Sequence, residues 1–171
     1  MVSVLVPALI AVAGTLLGAG ATFFFQRSTA DRAAAQLFAE RLRQDRLNAY
    51  NAFADAATEY RSIEYDRWFR NSEDDAEALR AAKQTAHAKR TLARSALLRI
   101  ALLTDDNRLR TLGNDIIDTA RAISRASDAA ERDTHGDRAQ ALLDTFITHA
   151  AAQVQSPPEL TRARPRRALP R

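Results

Sequence analysis

Cysteine is absent from the 171 residues, which excludes disulfides, thiol catalysis and thiolate-bound metal. Glycine and proline number five each, and of the glycines only Gly113 and Gly136 lie beyond residue 25. So few turn formers argue against a sheet built from tight hairpins. Two glycines also leave no glycine-rich loop to cradle phosphate. Lysine is nearly missing: Lys83 and Lys89 are the only two, and arginine carries the remaining positive charge. Arginine in place of lysine, with abundant alanine, is the mark of a GC-rich genome. The sequence has no Gly-x-Ser-x-Gly, no His-Glu-x-x-His and no calcium-loop pattern. No stretch alternates with period two, so strands are not expected.

Charge is also missing from the start of the chain. Val2 to Phe25 contains no charged side chain. As a helix these residues would reach about 36 Å, enough for the ~30 Å hydrocarbon core of a bilayer. A cleaved signal peptide is the competing reading, with Ala19-Gly20-Ala21 as the cleavage site. It needs a basic n-region and a shorter apolar run, and neither is present. An uncleaved transmembrane anchor is therefore expected. Phe23, Phe24 and Phe25 with Gln26 mark its far boundary. Arg27, Arg32, Arg41, Arg43 and Arg46 follow, and none precedes, so the expected topology is N-terminus out with the C-terminal domain in the cytoplasm. Ala11, Gly14, Gly18 and Ala21 share one helical stripe and include a GxxxG, a candidate face for self-association of the span.

The net charge of +4 is unevenly placed. Arg162, Arg164, Arg166, Arg167 and Arg171 stand against Glu159 in the last 16 residues, and the rest of the chain sums to zero. The body therefore offers no basic face for nucleic acid, and none is expected as a partner. The tail reads as a solvated end, or as a contact for anionic lipid through those five arginines.

Between anchor and tail, apolar residues recur at spacings of three and four. The first stretch, from about Thr29 to Arg70, carries Leu42, Leu47, Tyr50, Phe53, Ala54, Ala57, Tyr60 and Trp68 on one face. A second, from about Glu73 to Leu103 with Ser72 as N-cap, carries Leu79, Ala82, Ala86, Ala93, Leu97 and Ile100. A third starts after a Thr104 cap and carries Leu109, Leu112, Ile116, Ala120, Ile123, Ser127 and Ala130. Asp133 to Gly136 is expected to break the chain. A fourth, Asp137 to Val154, carries Leu142, Leu143, Phe146, Ile147, Ala150 and Val154, and Pro157-Pro158 ends it. The expected fold is all-α: a transmembrane helix (1–26), a juxtamembrane helical stalk (27–46), an antiparallel bundle of about four helices with a long first one (47–155), and a disordered basic tail (156–171).

The chemistry-bearing residues are sparse. His87, His135 and His149 fit no metal pattern, and Glu131 with His135 has no second pair to complete a di-metal site. Asp74, Asp75, Asp105 and Asp106 read as helix-start residues. Arg61 and Glu64 fall on the apolar face beside Tyr60, where they could pair, or where Glu64 could meet Lys83. The favoured reading is that such long side chains snorkel to water. No catalytic residue, cofactor or metal is assigned.

Phe23-Phe-Phe-Gln-Arg27 at the end of a Gly/Ala-rich span, followed by Arg43-Gln-Asp-Arg-Leu-Asn-Ala-Tyr-Asn-Ala-Phe53, resembles the small uncharacterised single-pass membrane proteins of GC-rich actinobacteria. That resemblance implies no activity. The expected function is a non-enzymatic, membrane-tethered helical interaction or scaffold module of unknown pathway, with an unidentified protein partner and a homodimer through the span as a candidate. The alternatives are a helical sensory or signalling input domain and a phage-type membrane or lysis accessory protein.

Overall fold

The structure, a computed structural model, describes the backbone of residues 2–71 and 76–155, and side chains from residue 26 onward within those ranges except residue 28. Four helices follow in order: α1 (Val2–Asn71), α2 (Ala76–Leu103), α3 (Asn107–Ile123) and α4 (Ala129–Gln155). They form two compact units, divided between Arg41 and Leu42. Among the described residues no helix is long and apolar enough to cross a membrane. The expected span, with Ala11, Gly14, Gly18 and Ala21, falls on side chains outside the described residues. The arginines of the tail and the Ser72 cap also lie outside them. Within the first unit, the described side chains other than the half-buried Ala39 face solvent, including Leu37 at 60% and Phe38 at 69% exposure.

The second unit is a four-helix antiparallel arrangement around one apolar core. The register of each neighbour is fixed by contacts between opposite ends. Tyr50 of α1 donates to Gln153 of α4 at 2.8 Å, while Trp68 donates to the Ala126 carbonyl just before α4, at 3.0 Å. Arg46 of α1 reaches the Leu103 carbonyl at the end of α2 (2.8 Å), and Glu59 meets Lys89 nearer its middle. The core is built from Ala49, Tyr50, Phe53, Ala57 and Tyr60 of α1 with Ala93, Leu97 and Ile100 of α2, Leu109, Ile116, Ile117 and Ala120 of α3, and Leu143, Phe146, Ala150 and Val154 of α4. Phe146 is the one aromatic of the unit outside α1. It meets Phe53 at 4.8 Å between ring centroids and Tyr50 edge-on at 6.2 Å. Such pairs contribute about 0.5–1.5 kcal/mol each beyond their buried area.

Small residues set how closely the helices approach. Ala82, Ala86 and Ala93 make up the small-residue part of the buried face of α2, which Leu97 and Ile100 complete. Gly113 is buried in α3, where a Cβ would overlap the Leu97 side chain of α2.

The helix boundaries differ from the expected ones in three places. The N-cap of α3 is Asp106 and not Thr104, because the Asp106 carboxylate accepts the Arg108 and Leu109 N–H groups at 2.7 and 3.2 Å. Thr104 instead closes α2, its N–H bonded to the Ile100 carbonyl at 3.1 Å. The break between α3 and α4 lies at 124–128, and Asp133 to Gly136 is helical. Ser127, Asp128 and Glu131 explain it as a reciprocal cap. Asp128 accepts the Glu131 N–H at 2.8 Å, and the Glu131 carboxylate accepts from the Ser127 N–H and hydroxyl at 2.7 Å. This is a capping box shifted by one residue. The Ser127 backbone bond, foremost, holds the Glu131 carboxyl below the usual range. Ser127 and Ala130 are thus exposed residues outside α3, and Ile147 is 47% exposed on α4.

Gly136 shows why a glycine can sit inside a helix. It is buried against the Tyr65 ring, and a Cβ there would overlap the Tyr65 hydroxyl. Its role is close approach, not chain reversal.

Two outcomes test this packing. A fragment spanning 42–155 should fold as a helical unit, and Phe53→Asp, at 0% exposure, should destabilise it by about 4 kcal/mol or more in chemical melts, since it buries an unpaired charge. Gly136→Ala should cost about 1–2 kcal/mol, overpacking outweighing the gain in helix propensity. In a Tyr65→Ala background the same change should become stabilising. A stabilising Gly136→Ala in the native background would show that Tyr65 does not need the space.

Candidate functional site

The inward stripe of α1 does not stay apolar. After Ala57 and Tyr60 it continues to Glu64 and Arg67, one further turn at a time. Glu64 is 1% exposed and is the one charged residue among the buried described residues. It pairs with Arg67 at 3.3 Å, not with Arg61. The reading in which this carboxylate reaches water is therefore corrected. Glu64 lies too near the axis of the stripe, and the flanking helices α2 and α3 close over it.

Those helices bring charge of the opposite sign. Tyr60, Glu64 and Arg67 of α1, Lys83, Ala86, His87 and Arg90 of α2, and Arg121 of α3 line a cavity of about 260 Å³. The residues recur at the same spacing on both long helices: 60, 64, 67 on α1 and 83, 87, 90 on α2. Four cations thus surround one carboxylate. Among the described residues only Arg67 of the four makes an ion pair.

Two polar atoms in the lining are buried without a hydrogen-bond partner, the Tyr60 hydroxyl and Arg90 Nε. An unmade bond of this kind costs about 1–3 kcal/mol. The Tyr60 phenol is pushed far above its ordinary pKa, by burial first and then by the neighbouring Glu64 carboxylate, against the opposing pull of Arg90 and Arg121. Glu64 acts on the phenol through its nearness and charge, but no hydrogen bond of adequate geometry joins them. Tyr60 therefore stays protonated at physiological pH and is a donor without an acceptor.

A second polar cluster closes one end of the unit. Asp106 caps α3, and its other oxygen lies 2.7 Å from His149 Nε2 and accepts from the Gln153 amide, which in turn accepts from Tyr50. Burial would raise the Asp106 pKa, but the bonds from His149 and from the Leu109 and Arg108 N–H groups outweigh it and hold the carboxyl low. The Val154 carbonyl accepts from Arg43 at 2.9 Å, so α4 ends beside the part of α1 that enters the bundle. At the opposite end Arg132 lies over the Trp68 ring at 4.4 Å and the Phe69 ring at 5.0 Å, and also pairs with Asp133 at 2.7 Å. Both clusters are readily explained as structural closures of helix ends.

Of the residues singled out in the sequence, the structure brings Glu64 and Lys83 to one cavity. His149 joins Asp106 in the end cluster, His135 stays with Glu131 at 3.6 Å, and His87 lines the cavity rim as an exposed residue. Among the described residues no group of three acidic, histidine or cysteine side chains could hold a metal. Tyr60, Arg67, Arg90 and Arg121 were not expected at a site. The available signal was the polar continuation of the α1 stripe, matched by the equal spacing on α2.

The Asp106 cluster gives a pH test. Its carboxylate is held low in the fold, so its stabilising contribution is present above the ordinary aspartate pKa of ~3.9 and is lost as pH falls below that through the folded value. Asp106→Asn keeps an N-cap oxygen but removes the titration. Melts of the variant should show a shallower loss of stability below pH 4 than the native chain, and equal slopes would remove Asp106 from the acid response.

Comparison with known proteins supplies the family. The family described as "KilB plasmid transfer protein" matches residues 47–154, more than half of the chain, and the chain belongs to it. The match shows this plasmid-transfer family and not the actinobacterial membrane proteins that the N-terminal layout resembles. No curated protein and no solved structure gives a match.

Proposed function

From membership of the KilB plasmid transfer family, we propose that this chain is a membrane-tethered, non-enzymatic helical module that serves plasmid transfer by binding a protein partner. One observation carries the reading: the family match begins where α1 enters the bundle and ends at the last turn of α4, so the bundle is the part shared with the family. The anchor and the basic tail would serve to place the bundle.

The uncharged run at 2–25 is long enough to span, and the arginines after it favour a cytoplasmic bundle with the N-terminus outside. Ala11, Gly14, Gly18 and Ala21 would let two spans pair. The end of α4 beside Arg43 supports a tail that leaves the bundle on the side where α1 enters it. There Arg162, Arg164, Arg166, Arg167 and Arg171 would face an anionic leaflet, each contributing roughly 1 kcal/mol before chain entropy is subtracted. The body is neutral overall, which favours a protein partner over direct DNA binding.

The test uses a self-transferable plasmid encoding this chain. Removing residues 1–26 should release the protein from the membrane fraction and reduce transfer to the level of the full gene deletion. Normal transfer by a stably expressed, membrane-free chain would reject the tether. A reporter fused after Arg171 should be active only if it functions in the cytoplasm, and activity of an exported-only reporter would reverse the topology.

A further inference from the structure

We propose that the cavity between α1, α2 and α3 is a binding site for a small phosphate compound carrying at least two negative charges. The charge balance is the first ground. Glu64 is engaged by Arg67, which leaves Lys83, Arg90 and Arg121 around the cavity with no acidic partner among the described residues. A surface cluster of that kind would be solvated and would mean nothing. Lys83 is exposed and Arg90 and Arg121 are half-buried, but Arg90 Nε is itself buried with no acceptor, a cost that solvation of the outer nitrogens does not relieve.

The second ground is the Tyr60 hydroxyl. Tyr60 is 1% exposed, and its hydroxyl also lacks a partner. Burial and the nearby carboxylate keep it protonated. Buried donors in native proteins are nearly always paired, so two unpaired donors in the lining of one cavity mark a place where a bound acceptor would be favoured. An anion would also match the charge of Lys83, Arg90 and Arg121. A carboxylate brings one charge and two oxygens. A phosphoryl group brings up to two charges and three terminal oxygens, and guanidinium groups bind it in a fixed fork.

Size sets the class further. A volume of about 260 Å³ is just below the ~300–1,000 Å³ of most ligand pockets. It suits pyrophosphate or a short phosphorylated compound. It does not suit duplex DNA, which would need an extended basic face that the neutral body does not offer. This inference rests on the cavity alone and not on the membrane tether or the part played in plasmid transfer.

The experiment titrates the full-length, detergent-solubilised protein with pyrophosphate and with inorganic phosphate by calorimetry. One saturable site is expected, with pyrophosphate tighter than phosphate. Arg90→Gln and Arg121→Gln should each weaken pyrophosphate binding at least tenfold, and Arg99→Gln, an exposed arginine outside the cavity, should not. Tyr60→Phe deletes an unpaired hydroxyl, so it should fold at least as stably as the native chain yet bind several-fold more weakly. A second readout needs no variant: the Arg90 Nε–H resonance should shift on adding pyrophosphate to the labelled native protein. Absence of saturable binding, or binding equally strong in Arg90→Gln, Arg121→Gln and Arg99→Gln, would overturn the proposal. So would an unmoved Arg90 resonance at saturating pyrophosphate, or a duplex DNA probe that binds through Arg90 and Arg121 while pyrophosphate does not.

Discussion

The bundle depends on one contact, the seating of Phe146 of α4 against Phe53 and Tyr50 of α1. The unit has few large side chains to spare. Its second helix buries three alanines beside only two large side chains, Leu97 and Ile100, and alanine gains little from burial on its own. The aromatic stripe of α1 therefore provides much of the buried bulk, and Phe146 locks α4 onto it. Once α1 and α4 are paired antiparallel, α2 and α3 pack against them at the short distances that Ala93 and Gly113 permit. The core is narrow, and its length is set by how far the aromatic stripe stays apolar.

Where that stripe turns polar the physics changes. Glu64 occupies a position as deep as the apolar residues before it. A carboxylate at that depth requires compensation, and Arg67 supplies it from one turn further on. The arginines and the lysine contributed by α2 and α3 exceed what one carboxylate can balance. The bundle therefore has two halves of different character: an apolar half around Phe146, and a half with a charged cavity. The first gives stability. The second holds buried donors whose cost the fold bears without an internal return, the usual signature of a site kept for something other than stability.

The ends of the unit are closed by hydrogen bonds that join helices through their caps. Asp106 is at once the cap of α3 and the acceptor for two residues of α4. Arg43 and Arg46 of α1 satisfy carbonyls at the ends of α4 and α2, which no helix can satisfy internally. The ends of α2 and α4 are thus tied to α1. This is how a short-looped bundle keeps a single register with few large side chains in its core.

The sequence by itself determined the all-α class, four helices after the start of the chain, and nearly all of the core. Tyr50, Phe53, Leu97, Ile100, Leu109, Ile116, Leu143 and Phe146 were legible because a spacing of three and four is a local consequence of helix geometry. The start of α4 is not where the sequence places it, because glycine reads as punctuation. The true signal was the weaker capping pattern at Asp128 and Glu131, and Gly136 is explained only by Tyr65, which lies 71 positions away in the chain. The same distinction holds for the site. Glu64 stood out in the sequence, but whether it reached water depended on which neighbours closed over it. It takes the packed bundle to bring Lys83, Arg90 and Arg121 to the cavity of Glu64, because the spacing on each helix marks a polar face but cannot say which faces of three helices meet.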